Sequence, residues 1–140
     1  MPELVSTRLL PVSRERAFAA LSDLDQLVRW WGPDGFTSTS EAFDFSPGGA
    51  WTMVLHGPDG TDYPNLYNFT AIEPPARAVV EHPHEVHWFE LTIAFDEAPG
   101  GTQVIWRQRF DDEAHFAEIK DVVAAANDQV LARLEAVVAG

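Results

Sequence analysis

Burying a polar side chain without a partner costs about 1–3 kcal/mol, so a polar residue on an apolar face is a candidate for chemistry. Four residues of this chain qualify. His87 shares alternating parity with Phe89 and Leu91, and Gln108 lies between Trp106 and Phe110 on one face. Tyr67 shares parity with Phe69, and Asn127 sits on or beside the apolar stripe of the last helix. Together they could orient a carbonyl or hydroxyl of a ligand. His87 is the candidate general base, because imidazole titrates near neutrality. For each residue the alternative is a structural hydrogen bond or a strand-end position in solvent.

Other chemistries find less support. His82, His84 and His87 fall close together, with Glu81 and Glu85 between them. Imidazoles two apart on a strand would face the same way, as metal ligands need. Pro83 interrupts that strand, however, and a solvated loop is the preferred reading, so no metal and no cofactor are assigned. The chain has no cysteine, which excludes disulfides, thiol nucleophiles and thiolate metal sites. No serine has a nucleophile-elbow setting, and no glycine-rich phosphate loop precedes a helix. Glu41 and Asp44 have opposite strand parity and make a poor carboxylate pair, while Asp23 and Asp25 lie at a helix start, where capping explains them.

The elements that must position these residues can be read from periodicity. Residues 3–10 form a first strand closed by Pro11. Ser13 caps a short helix with Phe18 and Leu21 on its buried face, and Asp23 caps a second with Leu24, Leu27, Val28 and Trp31 at helical spacing. Gly32-Pro33 stops it. From Phe36 the period becomes twofold, and turns at Pro47-Gly48-Gly49 and Gly57-Pro58-Asp59-Gly60 separate strands, the second over residues 50–56 and the third over 63–72. A short strand follows at 78–82. In the next two, Phe89, Leu91, Ile93 and Phe95, then Thr102, Val104, Trp106, Gln108 and Phe110, share inward faces, the mark of an antiparallel sheet covered on one side. Asp111 or Asp112 caps the last element. Phe116, Ile119, Val123, Ala126, Val130, Leu134 and Val137 then recur at helical spacing, and Ala124 to Ala126 keep the helix thin in its middle.

This order predicts an α+β fold of about six to seven antiparallel strands wrapped around a long C-terminal helix, with two short helices after the first strand. A single domain over residues 1–140 is expected. With 46% hydrophobic residues it can bury a core without staples. The formal net charge of -13 repels phosphate backbones and anionic membranes, so nucleic acid is not an expected partner. No apolar run is long enough for a membrane span, and the start lacks a signal-peptide pattern. With the lack of cysteine, this suits a cytoplasmic protein. An exposed aromatic such as Trp88 would profit from cover, which admits a homodimer.

Several phrases, taken in order, resemble the START-like (SRPBCC, helix-grip) superfamily, and more narrowly its branch named after activators of the Hsp90 ATPase. They are Arg29-Trp30-Trp31-Gly32-Pro33-Asp34-Gly35-Phe36, Phe43-Asp44-Phe45-Ser46-Pro47-Gly48-Gly49-Ala50-Trp51, Gly57-Pro58-Asp59-Gly60, Ile72-Glu73-Pro74-Pro75-Ala76-Arg77, and Phe95 followed by Gly100-Gly101-Thr102. Together they span nearly the whole chain. The chain departs from the branch at the last helix, where Ala126-Asn127 stands in place of a frequent Gly-Trp pair.

The resemblance implies a helix-grip fold with an apolar cavity between sheet and last helix, and it implies no single reaction. The expected lining pairs Phe43 with Phe45, Trp51 with Met53, Tyr67 with Phe69, Phe89 with Leu91, and Trp106 with Phe110. Gln108, His87, Val123 and Asn127 complete it, and Trp30 and Trp31 lie in the segment that closes one end of the cavity in similar proteins. Such a lining suits a small hydrophobic or aromatic ligand held by a carrier, sensor or scavenger. The same side chains could instead interlock and leave no void. Two other readings stay open: a cyclase- or dehydratase-type enzyme using the same cavity, and a chaperone-associated protein-binding module, which rests on the family name alone.

Overall fold

The computed structural model describes residues 1–139. Its seven strands are β1 (Glu3–Leu10), β2 (Thr37–Phe43), β3 (Ala50–His56), β4 (Asp62–Glu73), β5 (Arg77–His82), β6 (Phe89–Ala98) and β7 (Gly101–Phe110). Its helices are α1 (Arg14–Ser22), α2 (Leu24–Trp30) and α3 (Glu113–Ala139). The strands form one antiparallel sheet in the order β1-β7-β6-β5-β4-β3-β2. From β2 to β7 it is a meander of sequence neighbours, and β1 returns to pair with β7. The register shifts between Ser40 and Ala42 and again between Phe69 and Ala71, irregularities of the kind that bend a strand and deepen the curl of a sheet.

Local chemistry sets the helix starts. Ser13 accepts a hydrogen bond from the Arg16 N–H, and Asp23 accepts one from Asp25 N–H. At α3 the cap is Asp112, whose Oδ1 accepts from the backbone N–H groups of Ala114 and His115. All three caps satisfy N–H groups that a helix start leaves unbonded.

At 27 residues, α3 is about 40 Å long and crosses the concave face of the sheet. Its burial is uneven. Asn127, Val130, Leu131, Leu134 and Val138 are buried, all in the C-terminal half, where α1, α2 and β1 pack against the helix. In the N-terminal half Phe116, Ile119 and Val123 are only half-buried, and Val122 is 74% exposed.

The inward faces of the strands supply the core. Trp51, Met53, Tyr67, Phe69, Leu91, Ile93, Phe95, Val104 and Trp106 are buried as their alternation predicts. At one end, Phe18 packs edge-on to Phe45 and Phe95, and Phe45 packs edge-on to Phe69, with centroids 5.0–5.9 Å apart. Such arrangements oppose positive ring edges to negative faces. At the other end, Trp31 touches Trp30, Trp51, Tyr67 and Trp106 at 5.3–5.6 Å.

His87 departs from the expected pattern. β6 begins at Phe89, and His87 lies in the 83–88 connection, exposed. Pro83 and the turn after it break the alternation before it reaches residue 87.

Candidate functional site

A hollow of about 150 Å³ lies between the sheet and the middle of α3. Tyr67, Phe89, Leu91, Trp106 and Gln108 line it from strands β4, β6 and β7, with Leu55 from β3. Trp31, Gly32 and Pro33 line it from the end of α2, and Ala126, Asn127 and Val130 from α3. No charged side chain is among them.

The α2 end of this wall depends on backbone geometry. Gly32 has φ of 103°, a left-handed value that costs an L side chain 1–2 kcal/mol, and its missing Cβ leaves room for Leu55 and Phe36. The turn brings Pro33 and the Trp31 ring to the hollow. Arg133 fixes the same segment from α3. Its Nη1 donates to the carbonyls of Gly32 and Pro33 at 2.6 and 3.0 Å, and its Nη2 to those of Arg29 and Phe36 at 2.9 and 3.2 Å.

Polar groups are few in the hollow and partly unused. Asn127 Nδ2 donates to Gln108 Oε1 at 3.0 Å, both side chains being 7% exposed. Among the described residues, neither Gln108 Nε2 nor Asn127 Oδ1 has a hydrogen-bond partner in the protein. The indole N–H of Trp106 is buried and has no acceptor among the described residues. Burial pushes the Tyr67 hydroxyl up to about 12, with the Trp31 side chain acting in the opposite sense, so the phenol stays protonated at neutral pH. The residues that line the hollow therefore carry a phenol, an indole and a neutral amide pair in an otherwise apolar wall.

Seven of the sixteen residues expected from sequence meet here: Trp31, Tyr67, Phe89, Leu91, Trp106, Gln108 and Asn127. Trp30 is fully buried beside them, its indole donating to the Ala20 carbonyl at 2.9 Å. Phe43, Phe45, Trp51, Met53 and Phe69 belong to the packed core and its margin rather than to the wall. Phe110 packs against Phe89 and Phe116 at the end of the sheet, and Val123 is half-buried on α3. Gly32, Pro33, Leu55, Ala126 and Val130 were not on the expected set. Leu55 continues the Trp51–Met53 parity and Val130 lies on the helix stripe, so both carried a signal in the sequence.

The histidines form a separate row outside the hollow. Ring centroids run His82–His84 at 5.7 Å, His84–His87 at 5.0 Å and His87–His115 at 4.9 Å. His87 Nδ1 and His115 Nε2 lie 3.0 Å apart, at hydrogen-bond distance between loop and helix. Although His87 is exposed, the slight desolvation of its ring, then the neighbouring His115 and His84, holds it below the ordinary imidazole value. His82 is stacked on Phe89 at 4.7 Å, and its Nδ1 and Nε2 lie 2.9 and 3.0 Å from the His87 carbonyl and Asn65 Oδ1, of which the neutral ring donates to one. Burial lowers its pKa, while the His87 carbonyl works against that shift. Among the described residues, no three histidine or carboxylate side chains converge as metal ligands would. Trp88, beside this row, is half-buried and donates to Glu81 Oε2 at 3.1 Å.

The comparisons with known proteins agree with this architecture. The family described as Activator of Hsp90 ATPase homolog 1-like protein matches residues 11–139. The chain belongs to that family. A solved structure from Arthrobacter aurescens superposes with a TM-score of 0.90 at 22% identity, covering 98% of this chain and 86% of its own. One from Nitrosomonas europaea gives 0.87 at 17% identity, covering 97% and 93%. The AHSA1 protein from Silicibacter pomeroyi gives 0.79 at 22% identity, covering 99% and 98%. At these identities the likeness shows the fold, the curved antiparallel sheet gripping a long C-terminal helix. Among curated proteins none matches this sequence. No helix among the described residues is long and apolar enough to cross a membrane.

Proposed function

We propose that this protein binds a small, neutral, aromatic or hydrophobic molecule in the hollow between sheet and α3, as a carrier or sensor. The observation that carries the reading is that Trp106, whose side chain lines the hollow, has a buried indole N–H with no acceptor among the described residues. A buried donor left unbonded is costly, and a ligand carbonyl or ether oxygen would relieve that cost. The size fits one ring, since an apolar cavity of about 150 Å³ takes benzene. The missing charge in the wall disfavours carboxylates, which would be desolvated with no cation to meet them.

Binding is favoured over turnover. Tyr67 is held protonated, and His87, the candidate base, lies outside the hollow. A cyclase- or dehydratase-type step would need a group that titrates near neutrality against the ligand.

The test is titration with acetophenone, followed through the Trp106 indole N–H resonance by NMR. A saturable downfield shift is expected, with ethylbenzene binding more weakly and benzoate not at all. Ala126→Phe, which fills the hollow from α3, should abolish the response. An unmoved Trp106 resonance, together with a ligand-free mass for the purified protein in native mass spectrometry, would sink the reading.

A further inference from the structure

The arginines divide into two groups. Arg8, Arg14, Arg77, Arg107 and Arg109 each lie within 4 Å of a carboxylate, those of Glu135, Glu97, Glu73, Glu3 and Glu90. Among the described residues, Arg16, Arg29 and Arg133 have no such partner, in a chain whose formal charge is -13. These same three line one surface hollow of about 440 Å³, where α1, α2 and α3 come together. Gln26, Ala136 and Val137 complete its wall, and among the described residues no acidic side chain joins them. With acids so abundant, three guanidiniums that have no carboxylate partner among the described residues, gathered around one concavity, are a departure from the other five arginines.

Their donors are partly fixed and partly free. Arg16 Nη1 donates to Gln26 Oε1 at 2.6 Å and Nη2 to the Val137 carbonyl at 3.2 Å, which orients the group and leaves the Nε–H and one N–H on each terminal nitrogen. Arg133 is held through both terminal nitrogens by the carbonyls around Gly32, again leaving Nε. Arg29 is exposed and makes no side-chain hydrogen bond among the described residues. The neighbouring carboxylate, Asp23, is turned to Gln26 Nε2 at 2.9 Å.

We propose that this hollow is an anion site for a small soluble phosphate monoester. One guanidinium is matched in charge and planar shape by one carboxylate, and each of the other five arginines has one such group within 4 Å. Three guanidiniums brought from three helices suit a group with three peripheral oxygens and two negative charges, and guanidinium is the cation best matched to phosphate. The apolar share of the wall, Ala136 and Val137, leaves a place for the ester carbon. The site is separate from the hollow under α3 and does not depend on the ligand proposed there.

The experiment is NMR of the arginine Nε–H resonances during titration with inorganic phosphate and with phenyl phosphate, using acetate at matched ionic strength as the control. Saturable shifts are expected at Arg16, Arg29 and Arg133 and not at the five paired arginines, with phenyl phosphate binding more tightly than inorganic phosphate. Arg29→Gln, which removes an exposed side chain with no structural bond, should weaken binding at least tenfold. Arg16→Gln should do likewise, while far-ultraviolet circular dichroism stays unchanged. Equal responses to acetate, shifts that do not saturate, or unaltered affinity in Arg29→Gln would each overturn the proposal.

Discussion

The two halves of α3 face the same sheet and do different things. From Asn127 onward the helix is locked into the core by Val130, Leu131, Leu134 and Val138, with α1 and α2 against it. From Glu113 to Ala126 it has no buried residue; it meets the sheet through Phe116 on Phe110 and the 83–88 connection through His115 on His87. The hollow sits at the boundary. One half thus anchors the fold, while the other half roofs the sheet and can tolerate change. A ligand site of this kind needs both: a rigid wall to hold polar atoms in place and a lightly held cover to admit a molecule.

The sharpest way to break this contrast is to truncate the anchor. Leu134→Ala, at a fully buried position, should cost about 2–5 kcal/mol in urea unfolding, whereas Val122→Ala on the roof should stay within about 0.5 kcal/mol. Similar losses for the two would erase the distinction. A smaller effect is expected at the boundary. Gln108→Leu or Asn127→Leu alone leaves one amide of the pair unbonded and should cost about 1–3 kcal/mol, while the double variant should recover most of it. Additive losses would show that the two amides do not depend on each other.

A third prediction concerns pH. The folded pKa of His82 is lowered, so the unfolded chain takes up the proton more readily. Stability is then complete above the unfolded value of about 6.5 and declines as pH falls through it toward the lower folded value. The Tm of the protein should drop between pH 7.5 and pH 5.5, and His82→Gln should flatten that slope. An equal slope in the variant would assign the effect elsewhere. The smallest change is expected for Ala125→Glu. Ala125 is exposed beside Ala126, so this charge should leave both stability and ligand uptake unaltered.

Much of the fold was legible because the sheet is covered on one face only. Alternation in β6 and β7 separates Leu91, Ile93, Trp106 and Gln108 from their polar neighbours, and oxygen-bearing side chains mark all three helix starts. The choice between Asp111 and Asp112 needed the hydrogen bonds themselves. The candidate site was less legible, for three physical reasons. Alternation cannot be carried across an irregular turn, which is why His87 was placed with Phe89. The register shift after Ser40 also resets which side chains of β2 point inward. And an inward face does not say whether a ring interlocks or borders a void: Phe69 and Tyr67 share parity on one strand, yet one is packed among phenylalanines and the other lines the hollow. That difference is set by where α3 rests, which depends on residues far away in the chain.

The Arg133 side chain has a kinetic consequence as well. Residues 31–36 join α2 to β2, and their backbone carbonyls find partners in a guanidinium roughly a hundred positions later. Until α3 has docked, that stretch lacks the donor that shapes it, and closing so long a loop is entropically slow. The Trp31 environment should therefore be among the last to form. In stopped-flow refolding, substitutions at Arg133 should speed unfolding and leave the folding rate nearly unchanged, the signature of an interaction made after the rate-limiting barrier.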